Sequence, residues 1–506
     1  MPSPRLIQSS SAIFRTALRA PSSIATTRSR PFAMAPTASF SSSSKGAAEA
    51  STSMSAFGER HVAKGVGRLT QNVLKKGSGS YVWNDEGRKM LDFTAGIGVT
   101  SLGHCHPAVS EAAHEQIDEI VHAQCAIGYS SKYLELCQRL IPRFAKIDPR
   151  LDSFFLWNSG SEAVEASIKL AREVTGKNNV IVVQGSYHGR TYGAMALTKS
   201  KTIYFERQGP LMPGVFVTSF PFYAQLGVAP TTPEADMVET ALHQLRLLLA
   251  QQTAPSETAA ILLEPVMGEG GYVPAPPAFL QGLRKMASDN GILLIHDEVQ
   301  CGVGRTGDFW ATEASGVQPD ILIFAKGIAN GFPLSGIVSR KELTDKQKPG
   351  TMGGTYAGNA VSCAAACAVL ETMDKEPILD NVTARSKQLV DFLEGLKKSS
   401  PAGHLIEQVR GRGLMIGLQF KKDLISGDSN HTATNKEWLV DGQKREQLAP
   451  KISKRCAEKG MLLLSTSVFD VIRFIPALTI SEEEMSEGLK IFQEAFEEVA
   501  KESGSI

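Results

Sequence analysis

The chain has 506 residues, long enough for two domains or three, and its 53 Lys and Arg against 52 Asp and Glu leave a formal net charge of +1. So even a balance argues against nucleic acid as a partner. No stretch approaches 18 consecutive apolar residues, so no membrane-spanning helix is expected, and seven cysteines without paired spacing suit free thiols in a reducing compartment.

The even balance hides an asymmetry. Residues 1–48 hold Arg5, Arg15, Arg19, Arg28, Arg30 and Lys45 but no acid; the first is Glu49. On a helical wheel Arg5, Arg15 and Arg19 fall opposite Leu6, Ile13, Phe14 and Ala17. A basic, Ser-rich, amphipathic start without acids has the composition of a mitochondrial transit peptide. Residues 1–55 are therefore expected to lie outside the fold, and the protein is expected in the mitochondrial matrix.

From Tyr81 the chain alternates short apolar runs with polar turns. Tyr81-Val82-Trp83 and residues 89–94 flank Asp85-Glu86-Gly87, a hairpin signal. Gly103-His104-Cys105-His106-Pro107 sets three metal-binding residue types in a row. Neighbours on an extended chain point to opposite faces, however, and no second ligand pair stands at metal-site spacing, so no metal is expected. Residues 56–104 read as the first part of a smaller domain.

Residues 154–157 form an apolar run that reads as a buried strand. Asn158-Ser159-Gly160-Ser161-Glu162 follows, then a helix to Thr175, stopped by Gly176. Strand, Ser/Gly turn and helix N-terminus together make an anion site, since free N–H groups and the helix dipole face it. An ordinary N-cap by Ser159 or Ser161 is the plain alternative. A strand over residues 180–183 leads to Gly185-Ser186-Tyr187-His188-Gly189-Arg190-Thr191. Another, over residues 258–263, ends at Glu264, and residues 268–271 then turn the chain away.

Residues 292–295 are an unbroken apolar run, read as a buried parallel strand. It presents Asp297 and Gln300 at its carboxyl end, where open α/β sheets bind ligands. Residues 321–325 deliver Lys326 in the same way, immediately before a glycine. A buried ion pair is the plain reading of one acid and one lysine, but both follow strand ends among Gly-rich turns. Desolvation there lowers a lysine's pKa and leaves an amine able to form a Schiff base. A carboxylate opposite suits a pyridinium nitrogen. Residues 302–307 fit G-x-G-x-x-G, yet no helix opens directly after them and the next strand ends in Lys326 instead of an acid, which disfavours a dinucleotide.

At least five strand–helix repeats fill residues 105–375, which predicts an α/β domain with a mainly parallel sheet and helices on both faces. Residues 376–506 change to long amphipathic helices (379–398, 481–501) with strands at 412–420 and 461–466. They read as a smaller α+β domain that also takes in residues 56–104. Residues 421–447 are polar and aperiodic, a surface loop. Arg473 stands in an apolar strand, where an arginine is rarely buried without a partner, so an anionic ligand or a carboxylate is expected beside it.

The stretch 291–336 resembles the cofactor region of the class III (ω-) aminotransferases, fold-type I enzymes that use pyridoxal 5'-phosphate (PLP). The likeness extends from Arg68 to Glu498 and includes Gly103-His104-Cys105-His106-Pro107, Tyr187-His188-Gly189-Arg190-Thr191, Thr355-Tyr356-Ala357-Gly358-Asn359 and residues 471–478. Locally it is similar to the bacterial 4-aminobutyrate aminotransferase group. The resemblance implies that Lys326 bonds the cofactor and then shuttles the proton as general base and acid. It implies Asp297 on the pyridine nitrogen, Gln300 beside the ring's phenolic oxygen, Gly160 and Ser161 on the phosphate, and Tyr187 stacked on the ring. Thr355 would reach the phosphate of a neighbouring subunit's cofactor, which implies a homodimer with shared active sites, a tetramer being left open.

For substrates the resemblance implies Arg190 on the distal carboxylate, Ile97 in the pocket wall and Arg473 on the α-carboxylate of glutamate. Glu264 would swing in to neutralise Arg473 when the substrate lacks an α-carboxylate. The reaction implied moves nitrogen from 4-aminobutyrate to 2-oxoglutarate, giving succinate semialdehyde and glutamate. Acetylornithine and ornithine aminotransferases share these motifs and form the alternative.

Overall fold

Seven short runs of mostly aliphatic and β-branched residues build the central sheet: β1 (Leu151–Trp157), β2 (Asn179–Val183), β3 (Val215–Thr218), β4 (Thr258–Leu263), β5 (Leu293–Asp297), β6 (Ile321–Phe324) and β7 (Ser335–Arg340). Their order across the sheet is β1-β7-β6-β5-β4-β2-β3. Only β7 runs antiparallel, to β6 on one side and β1 on the other. β4, β5 and β6 are buried at every position. Along β6, Ile321 and Ile323 join one apolar cluster while Leu322 and Phe324 join another. A strand with apolar layers on both faces has no polar side to alternate with, which is why these runs are unbroken.

The computed structural model describes residues 53–421 and 447–506. Of the expected leader, residues 1–52 lie outside the described residues, and Met54–His61 is a helix. The loop expected over 421–447 also lies outside them, apart from its two end residues.

The layer beside Ile321 and Ile323 includes α1 (Gly160–Thr175), and the layer beside Leu322 and Phe324 includes α2 (Ala360–Lys375). From Ala360 to Leu370 every residue of α2 is buried. Small side chains let it lie deep, and Cys363 and Cys367 are packed members of that core. Two longer helices, α3 (Ile378–Ser399) and α4 (Glu482–Glu502), belong to the C-terminal part. α4 starts with a capping box: Ser481 Oγ accepts from Glu484 N–H and the Glu484 carboxylate accepts from Ser481 N–H.

Beside them lie β8 (Ile406–Arg412), β9 (Met415–Phe420) and β10 (Val471–Phe474), with Leu464–Thr466 on the outer edge of β10. The strand expected over 412–420 is thus half of a hairpin. Gly413 turns it at φ +56°, and a Cβ there would lie 2.5 Å from the Arg305 carbonyl oxygen, so the turn admits only glycine. The expected strand 461–466 divides between two sheets: Met461–Leu462 pairs in parallel with Lys89–Asp92, and Leu464–Thr466 pairs with β10. The first sheet joins the N-terminal strands to C-terminal chain.

The glycine-rich segment 302–307 is a packed loop. Arg305 is 1% exposed, and its Nη1 donates to the carbonyls of Leu414 (3.1 Å) and Pro476 (2.5 Å). Asp308 forms an ion pair with Arg412. The loop after β5 is thereby tied to the β8–β9 hairpin and to the segment that follows β10.

Candidate active site

Three adjacent strands end on the same side. β4 is followed by Glu264, β5 closes on Asp297, and β6 is followed after one residue by Lys326. They bound a cavity of about 330 Å³ that is also lined by Gly160, Ser161, Tyr187, His188, Glu269 and Gln300. This is the carboxyl edge of the parallel strands, where side chains leave the sheet without a neighbouring strand to cover them.

Lys326 adopts a left-handed backbone conformation, φ +51°, which costs a non-glycine residue roughly 1–2 kcal/mol. Burial pushes its amine from the usual lysine range down to about 8, against the pull of the Glu269 carboxylate. Among the described residues no carboxylate lies within ion-pairing distance of its Nζ. Asp297 is buried, and both of its oxygens are engaged. His188 Nδ1 donates to Oδ2 at 2.7 Å, and Val299 N–H donates to Oδ1 at 3.0 Å. Sequence reasoning passed over His188; its signal was only an imidazole inside the turn that carries Tyr187.

On the other side stands the N-terminus of α1. Ser159 caps it, its Oγ accepting from Glu162 N–H, and Gly160 is the first helical residue. A Cβ at Gly160 would come within 2.9 Å of Val299 Cγ1, so only glycine lets this helix end approach the loop after β5 so closely. Ser161 Oγ accepts from Arg190 N–H at 3.3 Å. Tyr187 lies edge-on to Tyr204, ring centres 5.3 Å apart, and its hydroxyl accepts from Arg190 Nε at 3.1 Å.

The expected pairing of Glu264 with Arg473 is not what the structure contains. Glu264 Oε1 accepts from Tyr187 N–H (2.9 Å) and Oε2 from Gly268 N–H (2.8 Å), so both oxygens are held by backbone. Burial pushes its carboxyl up to about 7. Arg473 pairs instead with Glu269, Nη1 to Oε1. The turn Gly268-Glu269-Gly270-Gly271 carries that acid over the cavity, five residues beyond Glu264. Against the upward push of burial, the Arg473 and Lys201 cations hold the Glu269 carboxyl down to about 2. Its Oε2 also accepts from Tyr204 Oη and Thr466 Oγ1, each at 3.1 Å, and lies 3.5 Å from Lys201 Nζ. Its one local mark in the sequence is that of an acid isolated among glycines just past a strand end, which does not say whether the side chain reaches the cavity or solvent.

The remaining expected residues stand further out. Arg190 is exposed and adjoins the cavity through Tyr187, and Arg473 adjoins it through Glu269. Ile97 is 37% exposed with φ +68°, and Val99 supplies the cavity wall in its place. Thr355 is exposed in the turn before α2 and is not brought to this chain's own cavity.

The family model for aminotransferase class-III matches residues 62–496, and the chain belongs to that family. It is 36% identical over 440 residues to a 5-aminovalerate aminotransferase of Pseudomonas aeruginosa, covering 87% of this chain and 96% of that one. It is equally 36% identical over 442 residues to a 4-aminobutyrate aminotransferase of Escherichia coli, with 86% and 96% covered. An acetylornithine aminotransferase of Caldanaerobacter subterraneus is 35% identical over 433 residues, with 84% and 95% covered. Among solved structures, an amine transaminase from an uncultivated Pseudomonas species, in its PLP-bound form, superimposes with a TM-score of 0.73 at 27% identity. That match covers 84% of this chain and 94% of the other. The chain is therefore a transaminase of fold type I, and its cofactor is pyridoxal phosphate.

The residues present fit that group. A helix N-terminus offers free N–H groups for a phosphate, and a buried carboxylate braced by His188 suits a protonated ring nitrogen. Lys326 is a buried amine with no carboxylate in ion-pairing contact among the described residues. Gln300 Oε1 is closed off from solvent without a hydrogen-bond partner, an orphan that a bound group would satisfy.

Proposed function

We propose that the chain moves the amino group of a linear ω-amino acid, 4-aminobutyrate or its homologue 5-aminovalerate, to 2-oxoglutarate. With 4-aminobutyrate the products are succinate semialdehyde and glutamate. The observation that carries this reading is the Arg473–Glu269 pair at the cavity. An arginine neutralised by an internal carboxylate accommodates a donor whose reacting carbon bears only hydrogens. Once freed, the same arginine takes the α-carboxylate of glutamate or 2-oxoglutarate. Without Glu269 the ω-amino donor would leave a buried guanidinium unpaired, at a cost of roughly 3–5 kcal/mol.

When bound, pyridoxal phosphate supplies a carbonyl carbon that takes up nitrogen and a ring that accepts electrons from the substrate carbon. The protein's part is to hold and to move protons. Gly160 and Ser161 at the start of α1 would hold the phosphate, and Tyr187 would flank the ring. Asp297, oriented by His188, would keep the ring nitrogen protonated, and Gln300 would face the ring's oxygen substituent. Lys326, with its amine near 8, has a substantial neutral fraction at physiological pH and takes and returns the proton at the substrate carbon. Arg190 would hold the distal carboxylate of either substrate with its planar fork.

The same reading includes a homodimer in which the partner's copy of the 355–359 turn completes each site. Ile127 (89% exposed), Tyr129 (85%) and Tyr356 (65%) are large apolar side chains left open on a single chain, which supports it. It also includes import into mitochondria, directed by the basic leader. Incubating purified protein with a panel of amino donors and 2-oxoglutarate tests the substrate. Glutamate should form fastest from 4-aminobutyrate or 5-aminovalerate, and faster formation from N-acetylornithine would replace this reading with the alternative.

A further inference from the structure

Two substrates that differ by one carboxylate make opposite demands on Glu269. With an ω-amino donor it must cover Arg473, and with a dicarboxylate acceptor it must leave. A carboxylate displaced within a buried site needs somewhere to put its charge.

The surroundings of Glu269 hold such a place. Its Oε1 faces Arg473, while Oε2 faces Lys201 Nζ at 3.5 Å, Tyr204 Oη at 3.1 Å and Thr466 Oγ1 at 3.1 Å. Lys201 caps the short helical turn Thr202–Tyr204, so one turn presents both the ammonium and the phenol. Among the described residues Glu269 is the only carboxylate within ion-pairing distance of Lys201. A separation of 3.5 Å is long for an ammonium–carboxylate contact, which closes to about 2.8 Å when nothing competes. The Lys201 side chain is 26% exposed and is therefore able to follow a moving partner.

Charge counting leads the same way. Arg190, Lys201 and Arg473 are three cations around the cavity mouth, and among the described residues Glu269 is the only carboxylate in ion-pairing contact with any of them. Two positive charges are left over, which matches the two carboxylates of a 2-oxo dicarboxylate. Tyr204 joins the two ends of this array: the Arg190 guanidinium lies 4.5 Å from its ring centre, and its hydroxyl donates to Glu269.

We propose that Lys201, assisted by Tyr204, is the second seat for the Glu269 carboxylate and so sets how readily the site admits a dicarboxylate acceptor. The inference rests on the two-substrate reading above. A ligand shifts a two-position group only by what it gains between the positions. Lys201 lowers the cost of the displaced position, because its contact with Oε2 tightens as Oε1 leaves Arg473. It is a specificity-determining residue and takes no part in moving the proton.

The test uses the holoenzyme with Lys201→Met, Lys201→Arg and Tyr204→Phe. Glutarate, a dicarboxylate that cannot react, is titrated calorimetrically, and the two half-reactions are followed separately. Lys201→Met should weaken glutarate by about tenfold, a fold-change readily resolved in an equilibrium constant. It should raise KM for 2-oxoglutarate more than it lowers kcat, and it should cost the acceptor half-reaction several times more than the 4-aminobutyrate half-reaction. Lys201→Arg should recover most of the loss, and Tyr204→Phe should shift glutarate binding in the same direction by less. Equal losses in both half-reactions with glutarate affinity intact would mean a structural lysine and overturn the proposal, as would an Arg variant no better than Met. Wild-type inactivity with both 4-aminobutyrate and 5-aminovalerate would overturn the donor assignment alone, since the glutarate affinities judge Lys201 independently.

Discussion

His188 Nδ1 stands 2.7 Å from Asp297 Oδ2, and both side chains are buried. An ionised carboxylate only accepts, so the imidazole donates, and its hydrogen bond fixes which way the acid faces. Two elements far apart in sequence, the turn after β2 and the end of β5, therefore set one oxygen atom. Asp297→Asn should reduce kcat by about 10²-fold or more while PLP stays bound, because it removes a charge and little volume. His188→Gln should cost roughly tenfold, as is usual for a residue that orients a functional group. Steady-state kinetics beside the cofactor's absorbance spectrum separate loss of chemistry from loss of cofactor. Near-normal activity of Asp297→Asn would reduce the pair to a structural one.

Lys326→Ala should yield a folded protein with almost no turnover, because among the described residues no other lysine lines the cavity itself, Lys201 standing at its mouth. Circular dichroism and thermal melting would check the fold. In the wild type, borohydride reduction followed by peptide mapping should place the cofactor label on Lys326, and a label on Lys199 or Lys201 would overturn the assignment.

The Arg473–Glu269 pair predicts two variants with opposite preferences. Glu269→Gln should impair the 4-aminobutyrate half-reaction more than the glutamate one, since nothing then neutralises Arg473. Arg473→Ala should do the reverse, with a change in the ratio of about 10²-fold, corresponding to a few kcal/mol of lost or unpaired charge. Glu264→Gln should lower both half-reactions alike, because its carboxyl is occupied by the N–H groups of Tyr187 and Gly268. If Glu264→Gln, and not Glu269→Gln, separates the two substrates, the switch belongs to the other acid.

A fourth prediction concerns pH. Glu298 is buried and accepts from Ala311 and Thr312 N–H, yet burial pushes its carboxyl up to about 7. In the unfolded chain it titrates near ~4.3, so between those values the folded protein binds more protons. Its contribution to stability is full below ~4.3 and is lost as pH rises through 7, at most about 4 kcal/mol. His296, buried and pushed down to about 3, acts in the opposite sense, so the readout is a difference. The Tm of wild type minus that of Glu298→Gln should fall from pH 5 to pH 7.5. A constant difference would show that Glu298 is ionised throughout.

What was legible in the sequence was whatever a strand end or a glycine turn had to announce. Unbroken apolar runs marked β4, β5 and β6 because burial on both faces leaves no polar alternation, and Asp297 and Lys326 were conspicuous at their ends. The strand, small-residue turn and helix start around Gly160 and Ser161 were legible as a pattern that leaves N–H groups free, but only the resemblance singled out those two residues over an ordinary N-cap. Glu269 was not, since nothing local distinguishes an acid that reaches across a cavity from one that turns to solvent; Glu264, sitting at the strand end, drew the attention instead. Lys201 and Tyr204 were hidden for the same reason, as their meaning comes from a carboxylate more than 60 residues away. The hairpin at Gly413 was missed because a single glycine between Arg412 and Leu414 reads equally well as continuous strand.

Arg305 carries a lesson for anyone who would recombine this enzyme with its relatives. Its guanidinium, sunk between the carbonyls of Leu414 and Pro476, belongs to a loop contiguous with Asp297 and Gln300, while Pro476 lies three residues past Arg473. The floor of the cofactor site and the carboxylate-reading strand are thus a single inheritable block split across 170 residues of chain. A chimera whose crossover falls between them would pair an arginine shaped for one carbonyl spacing with another, and substrate preference would drift even though every residue touching substrate had been kept.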